Sequence, residues 1–177
     1  CDIEIARFIS SMFALGVELL NEDQLDSGSI LIDLGFEKIS LGLFKNLALV
    51  HSVTLPLGIN HIVKDISKVC SLSMKDSEII KNDIDYSLIN NTNIFDENNY
   101  LKENYFKESN PRKLSKSLIC DILQARLDEI LEMIKKQIAT SGLIFGNNIY
   151  ITGGGSQLKN IEIYFSNFLK LNVKKLD

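Results

Sequence analysis

Apolar residues occur along this chain in blocks of two different periods, and the alternation of blocks lays out an architecture. Ile5, Phe8, Ile9, Met12, Phe13, Leu15, Leu19 and Leu20 recur at the three- and four-residue intervals of one helix face. The polar run Asn21-Glu22-Asp23-Gln24 ends that helix, and Asp26-Ser27-Gly28 is a turn. Ser29 to Gly35 follows as an apolar run broken only by Asp33, the pattern of a strand buried on both faces. Ile39 to Phe44 and Ala48 to Leu55 are two further strands, with Lys45-Asn46 as the hairpin turn between them. Pro56-Leu57-Gly58 breaks the sheet pattern. Ile59, Ile62, Val63, Ile66, Val69 and Cys70 then share one face of a helix, and Ser73-Met74-Lys75-Asp76 reads as a capping box opening a short helix through Ile80.

From Asp83 to Pro111 Asn, Asp and Glu dominate, as in Asn90-Asn91-Thr92-Asn93. Tyr86, Phe95, Tyr100, Tyr105 and Phe106 interrupt the polar run. A disordered linker would carry fewer aromatics, so the stretch is expected to be irregular but ordered, with two short edge strands. Leu114 to Ser141 carries the longest helical pattern, from Leu118 through Leu123, Leu127 and Leu131 to Ile138. Glu132 and Lys136 form a favourable pair four apart, and Gly142 is a C-terminal cap. Asn148 to Thr152 is rich in strand formers and runs into Gly153-Gly154-Gly155. Leu158, Ile161, Phe165 and Phe168 then recur at helical spacing, and Leu171 to Lys174 is a short closing strand.

Strand, glycine triplet and helix make the densest concentration of candidate chemistry. Glycine lets a ligand approach the backbone closely, and unpaired N–H groups at a helix start favour an anion. A tight turn with no ligand is the other reading, and the triplet leaves both open. Leu158 stands where a dinucleotide fingerprint or a nucleophile elbow needs glycine, so Ser156 is no nucleophile elbow. No Gly-Lys-[Ser/Thr] phosphate loop occurs in the chain. In an α/β sheet ligands sit beyond the carboxyl ends of strands, so the turns at Asp33-Gly35 and Gly153-Gly155 are expected to line one cleft.

Composition narrows the classes. The 177 residues are 45% hydrophobic, enough to bury a real core. Nineteen basic and 23 acidic residues give a net charge of −4 without long like-charged blocks, which excludes a nucleic-acid footprint. Cys1, Cys70 and Cys120 lie at least fifty residues apart, an odd and sparse set that argues against a disulfide framework and for a reducing compartment. His51 and His61 are ten apart and no pair has metal-ligand spacing, so no metal site is expected. No apolar run approaches the roughly eighteen residues of a membrane span. The start, Cys1-Asp2-Ile3-Glu4, is neither an initiator Met nor a signal peptide, and the chain is read as a piece of something longer.

At this point the residues become recognisable. Ile30 to Gly35 followed by a hairpin resembles the second phosphate loop of the actin, Hsp70 and sugar-kinase superfamily, and Ile149 to Leu158 resembles its adenosine loop. The flanks narrow the resemblance to the bacterial cell-division FtsA family. Leu20-Asn21-Glu22-Asp23 is similar to that family's Leu-Thr-Glu-Asp-Glu, and Leu55 to Ile66 to its Ile-Pro-x-Gly-Gly-Asn-x-x-Thr-x-Asp-Ile. Ser77-Glu78 and Lys81 fall where it has Ala-Glu and Lys. Ala125-Arg126-Leu127-Asp128-Glu129-Ile130 resembles Pro-Arg-x-x-Glu-Ile. The match covers nearly the whole chain and is weakest from Tyr86 to Pro111.

The resemblance implies an α/β, actin-like (ribonuclease H-like) mixed sheet with flanking helices and a smaller outer subdomain. Residues 1–27 would belong to a first lobe and 28–85 to the inner subdomain of a second. Residues 86–142 would form its outer subdomain, and 143–177 the return. The implied role is a scaffold without catalytic residues, linking the FtsZ ring to the inner membrane and recruiting other division proteins. It would sit at the division site on the cytoplasmic face, self-associate into actin-like filaments, and reach the membrane through a helix outside this chain. Weak binding of ATP with Mg2+ is implied at Asp33, Gly35, Gly58, Arg126, Glu129, Gly153, Gly154 and Gly155. Arg112, Lys113 and Lys116 would supply charge for the acidic FtsZ C-terminal tail.

The second phosphate loop departs from its pattern. Phe36 and Glu37 stand where the family has glycines and Ser40 where it has a distal Asp, so the loop does not support hydrolysis. The actin-like inner-membrane scaffold of type IV pilus assembly is the alternative. A small-molecule kinase of the same superfamily is a third reading, and it would need a catalytic Asp and an intact loop.

Overall fold

A computed structural model describes residues 7–89, 92–142 and 148–176. Its centre is a five-stranded mixed sheet of order β3-β2-β1-β4-β5. The strands are β1 (Ser29–Leu34), β2 (Ile39–Lys45), β3 (Ala48–Leu55), β4 (Asn148–Thr152) and β5 (Asn172–Lys175). β1 lies antiparallel to β2 and parallel to β4; β2 and β3 form the hairpin, and β4 and β5 run parallel.

Burial follows position in the sheet. Every residue of central β1 but Asp33 is buried, whereas edge strand β3 alternates exposed and half-buried residues. Alternate β1 side chains serve two cores. Ile30, Ile32 and Leu34 join the large core beneath α3 (Asn60–Cys70), α5 (Lys116–Thr140) and α6 (Ile161–Leu169). Leu31 points the other way, to Met12, Leu20, Phe44 and Tyr150 under α1 (Ser11–Leu19) and α2 (Glu22–Ser27). Gly16 lets α1 settle on Phe44, because a Cβ there would stand 2.0 Å from the ring.

Several local expectations are revised. The first helix begins at Ser11. Phe8 and Ile9 precede it and are exposed, and Ile5 lies outside the described residues, as do Cys1, Asn90 and Asn91. The polar run at 21–24 opens a helix of its own, α2. There the Asn21 and Gln24 side chains each accept the other's backbone N–H, at 2.9 and 2.8 Å. The hairpin turn is Asn46-Leu47, one residue later than the sequence implies. Both residues have positive φ, and their N–H groups donate to Asp26 and Leu25 carbonyls of α2.

Ser73 caps α4 (Met74–Asp83) by accepting the Asp76 N–H, but the reciprocal half of the box is missing. The buried Asp76 carboxylate instead accepts the backbone N–H groups of Lys107, Glu108 and Ser109 at 2.9–3.2 Å, and Ser109 Oγ takes the Ser73 N–H. Between α4 and α5 the expected edge strands reduce to two bridges, Phe95 with Leu101 and Tyr100 with Ser115. Tyr86, Phe95 and Tyr105 enter the large core, which explains order in so polar a stretch.

Candidate functional site

β1 and β4 are parallel neighbours with Asp33 opposite Thr152, so the chain leaves the sheet at the same edge after both strands. The two glycine-containing turns therefore meet. Gly153 has a φ of 84°, and a Cβ on it would fall 2.2 Å from Asp33 Oδ1. A Cβ on Gly155 would fall 2.4 Å from Ile59 Cγ1 and 2.9 Å from the Leu34 carbonyl oxygen. Gly154 differs: a Cβ there meets nothing within 4 Å. Two of the three glycines are thus required by packing, and the third faces open space.

The helix expected straight after the triplet starts later. Gly154–Gln157 forms a 3-10 turn, held by Ser156 Oγ donating to the Gly153 carbonyl at 2.7 Å. Asn160 then takes a left-handed φ of 60°, and α6 begins at Ile161. The start of α6 accordingly does not follow directly on the glycines, and its Ile161 and Ile163 N–H groups donate to the Leu158 and Asn160 carbonyls.

Gly154 and Gly155 border a cavity of about 450 Å3 that is also lined by Phe36, Ile59, Gln157, Leu158 and three residues of α4, Glu78, Lys81 and Asn82. Spacings of three and four residues put these α4 side chains on one face. The Lys81 side chain is only 7% exposed, and its ammonium stands 3.5 Å from Glu78 Oε1. Lysine is rarely buried to this degree unless paired. Glu78 and Lys81 matched the flanking pattern in the sequence but were not among the candidate site residues. The available signal was a charge pair three apart on a helix whose other buried residues are Asp76, Ser77 and Ile80.

The loop after β1 is laced to the start of α3. The Gly35 carbonyl accepts the Ile59 N–H at 3.0 Å and the Phe36 carbonyl accepts the Asn60 N–H at 2.9 Å. α3 has no side-chain cap, so this loop supplies it. Gly58 sits at the crossing, where a Cβ would come 2.3 Å from the Phe36 carbonyl oxygen. Glu37 accepts from Lys64 Nζ (3.0 Å) and Asn60 Nδ2 (2.7 Å). These bonds, that of Lys64 first, hold its carboxyl below the usual range. Phe36 remains 58% exposed at the cavity rim.

Asp33 is half-buried. Burial pushes its carboxyl up, and nearby Lys38 pulls it partly back. Ser40, in place of the distal Asp, shares a hydrogen bond with Thr54 Oγ1 at 3.2 Å. The open Gly154 face and the buried Lys81 fit a base and sugar. Among the described residues no group of three His, Cys, Asp or Glu side chains could hold a metal ion by itself.

Of the sequence-derived site residues, Asp33, Gly35, Gly58, Gly153, Gly154 and Gly155 come together. Arg126 and Glu129 do not join them. Arg126 Nε donates to Asp65 Oδ2 of α3 at 2.5 Å and its Nη1 pairs with Glu129, in a separate groove at the seam of α3 and α5. Arg112 donates to the Ser71 carbonyl at 2.8 Å, and Lys113 lies 5.6 Å from the centre of the Tyr100 ring. Both border a groove that Asp96 and Glu103 also face, while Lys116 borders a neighbouring one. The three cations therefore edge a surface of mixed charge.

Against known proteins, residues 30–175 match the family model described as Cell division protein FtsA. Cell division protein FtsA of Agrobacterium fabrum is 26% identical over 174 residues, a match covering 97% of the chain and 39% of that relative. The Bacillus subtilis protein of the same name is 24% identical, with the same coverage. The chain thus spans about two fifths of the length of these curated relatives. Among solved structures, MreB5 of Spiroplasma citri bound to AMPPNP matches with a TM-score of 0.61 at 22% identity, covering 93% of the chain and 52% of the other. A chain of the PilM-PilN type IV pilus biogenesis complex matches with a TM-score of 0.67 at 17% identity, covering 97% and 43%. At these identities the structures establish the shared actin-like fold.

Proposed function

The chain belongs to the Cell division protein FtsA family, and on that premise we propose that it is part of a division scaffold and not an enzyme. It links the FtsZ ring to the inner membrane and recruits other division proteins at the cytoplasmic face. An adenine nucleotide in the glycine-edged cavity biases how the parts of the protein are set, and partners sense that setting. Self-association into filaments is consistent with the actin-like fold. Contact with the membrane is assigned to a helix outside this chain, and among the described residues no helix is long and apolar enough to cross one.

The observation that carries the nucleotide reading is Gly154 facing open space beside a buried lysine. Gly154→Leu tests it, since Gly154 borders the cavity and a Cβ there meets nothing within 4 Å. The expected result is an unchanged melting temperature without ligand and loss of the stabilisation that adenine nucleotide gives the native chain. Retained stabilisation in the variant rejects the site.

Arg112, Lys113 and Lys116 are assigned to the acidic FtsZ tail, by charge complementarity. Reversing all three charges and titrating FtsZ tail peptide at low salt tests this, and unchanged affinity rejects it. The likeness to the PilM-PilN chain is one of fold, whereas the family match covers residues 30–175 and favours division over pilus assembly.

A further inference from the structure

We propose that β3 is an interaction surface on which a second copy of this chain pairs, edge to edge and antiparallel, so that two five-stranded sheets continue into one. The inference is independent of the nucleotide and FtsZ-tail readings. The two ends of the sheet are built differently. At one end β5 has four residues, two of them Lys174 and Lys175. Short length and lysine are usual guards of an exposed edge. At the other end β3 runs for eight residues, Ala48 to Leu55, with no Lys, Arg, Asp, Glu or Pro among them. Among the described residues no strand lies beyond it. The register shift beside Leu43 and Phe44 disturbs only the hairpin end, and His51 to Leu55 pair with β2 without a break.

The lack of charge is what singles out a second copy as the occupant. A two-fold contact is self-complementary, so a charge close to the axis meets its own image and repels it. In a chain of net charge −4, an uncharged edge satisfies that requirement. A foreign strand would need no such neutrality, and charge would serve to select it. Antiparallel pairing centred on Ser52 sets Val50 against Thr54 and His51 against Val53 across the seam. Each pair contains a β-branched residue, the type that packs well on a pleated surface, and none opposes like charges.

The seam extends beyond the strand. A Cβ on Gly42 would fall 2.9 Å from Met12 Cε, so α1 covers the face of the sheet that Gly42 shares with its cross-strand partner Ser52. A two-fold axis normal to the sheet keeps the α1 helices of both copies on that one face. α1 packs against β3 as well as β2 and leaves Phe13 and Val17 39% and 55% exposed. At the hairpin, Leu47 and Val50 are 58% and 44% exposed. Apolar surface thus flanks the edge, and covering it adds to the backbone bonds that pairing forms. The arrangement closes after two copies, unlike the open head-to-tail contact of a filament.

Sedimentation velocity of the chain over about 1–200 μM tests the proposal, with a monomer–dimer dissociation constant of about 10–100 μM expected for so small a contact. Ser52→Lys, at an exposed position, sets like charges against one another and should weaken the pair at least about tenfold. The melting temperature of the dilute variant should be unchanged. Should it fall, Val50→Lys, a second exposed site on the strand, decides the outcome. A native chain that stays monomeric at the highest concentration overturns the proposal. A dimer that keeps its affinity in the strand variants does the same. A dimer weakened more by Val17→Lys than by Ser52→Lys places the contact on α1 and rejects the strand edge. Growth past the dimer into longer species shows an open contact and rejects the two-fold pair.

Discussion

Gly153 is pressed against Asp33 so closely that a Cβ on the glycine would stand 2.2 Å from the carboxylate oxygen. The contact joins the ends of two strands that lie more than a hundred residues apart in sequence. It also fixes which member of the triplet is free to face a ligand.

The three glycines should therefore respond differently to alanine. Gly153→Ala combines a φ of 84° with a steric clash and should cost about 2 kcal/mol or more. Gly154→Ala meets open space and should be neutral or stabilising by up to about 1 kcal/mol. Urea denaturation of both variants measures the contrast, and equal losses would contradict the packing.

Asp33 should make stability depend on pH in an unusual direction. Its carboxyl is raised by burial, so the folded state holds the proton after the unfolded chain has lost it. The destabilisation is absent below the unfolded value, near about pH 4, and complete above the folded one. Asp33→Asn should then be more stable than the native chain at pH 7, with the advantage disappearing as pH falls to about 4. A melting series across that window decides the sign.

Asp76 should behave oppositely. Burial alone would raise its carboxyl, but bonds from Ser109, Glu108 and Lys107 outweigh it and hold the group below its usual value. Its stabilisation is full above the unfolded value and is lost as pH falls through the folded one. Asp76→Ala leaves three backbone N–H groups of residues 107–109 without their acceptor and should cost about 3 kcal/mol at pH 7. Limited proteolysis should place the first new cut in this segment.

Arg126 and Asp65 bind α5 to α3 with side chains only 20% and 29% exposed. A double-mutant cycle with alanine at both positions should return a coupling of about 1 kcal/mol, the upper end for an ion pair that solvent can still reach. A coupling near zero would mean that the packing around Ile122 and Val69 holds the seam unaided.

Most of the sheet was legible because its signals are local. The unbroken apolar run of β1, the hairpin and the glycine triplet each occupy a few consecutive residues. The period of α5 also emerged, since 25 residues give it many turns in which to repeat. What stayed hidden depends on distant partners. α2 looked like the end of a helix because its only apolar residue is Leu25, and its stability comes from a cap and from Gln24 Nε2 donating to the Tyr150 hydroxyl at 2.8 Å. The Asp76 carboxylate could not be assigned to residues 107–109 from a four-residue motif. At the site, the glycines were found by type, while Glu78 and Lys81 needed the fold to bring α4 over the turn. Arg126 lay in a recognised motif, but spacing within one helix does not say which neighbouring helix it will meet.

The carbonyls of Gly35 and Phe36 serve as the missing cap of α3. Peeling that loop from the protein surface would strand the amides of Ile59 and Asn60, and unwinding the first turn of α3 would strand the loop. The two segments thus open as a single cooperative unit. In deuterium exchange the amides of Ile59 and Asn60 would report on the entrance to the cavity while belonging to the helix beside it.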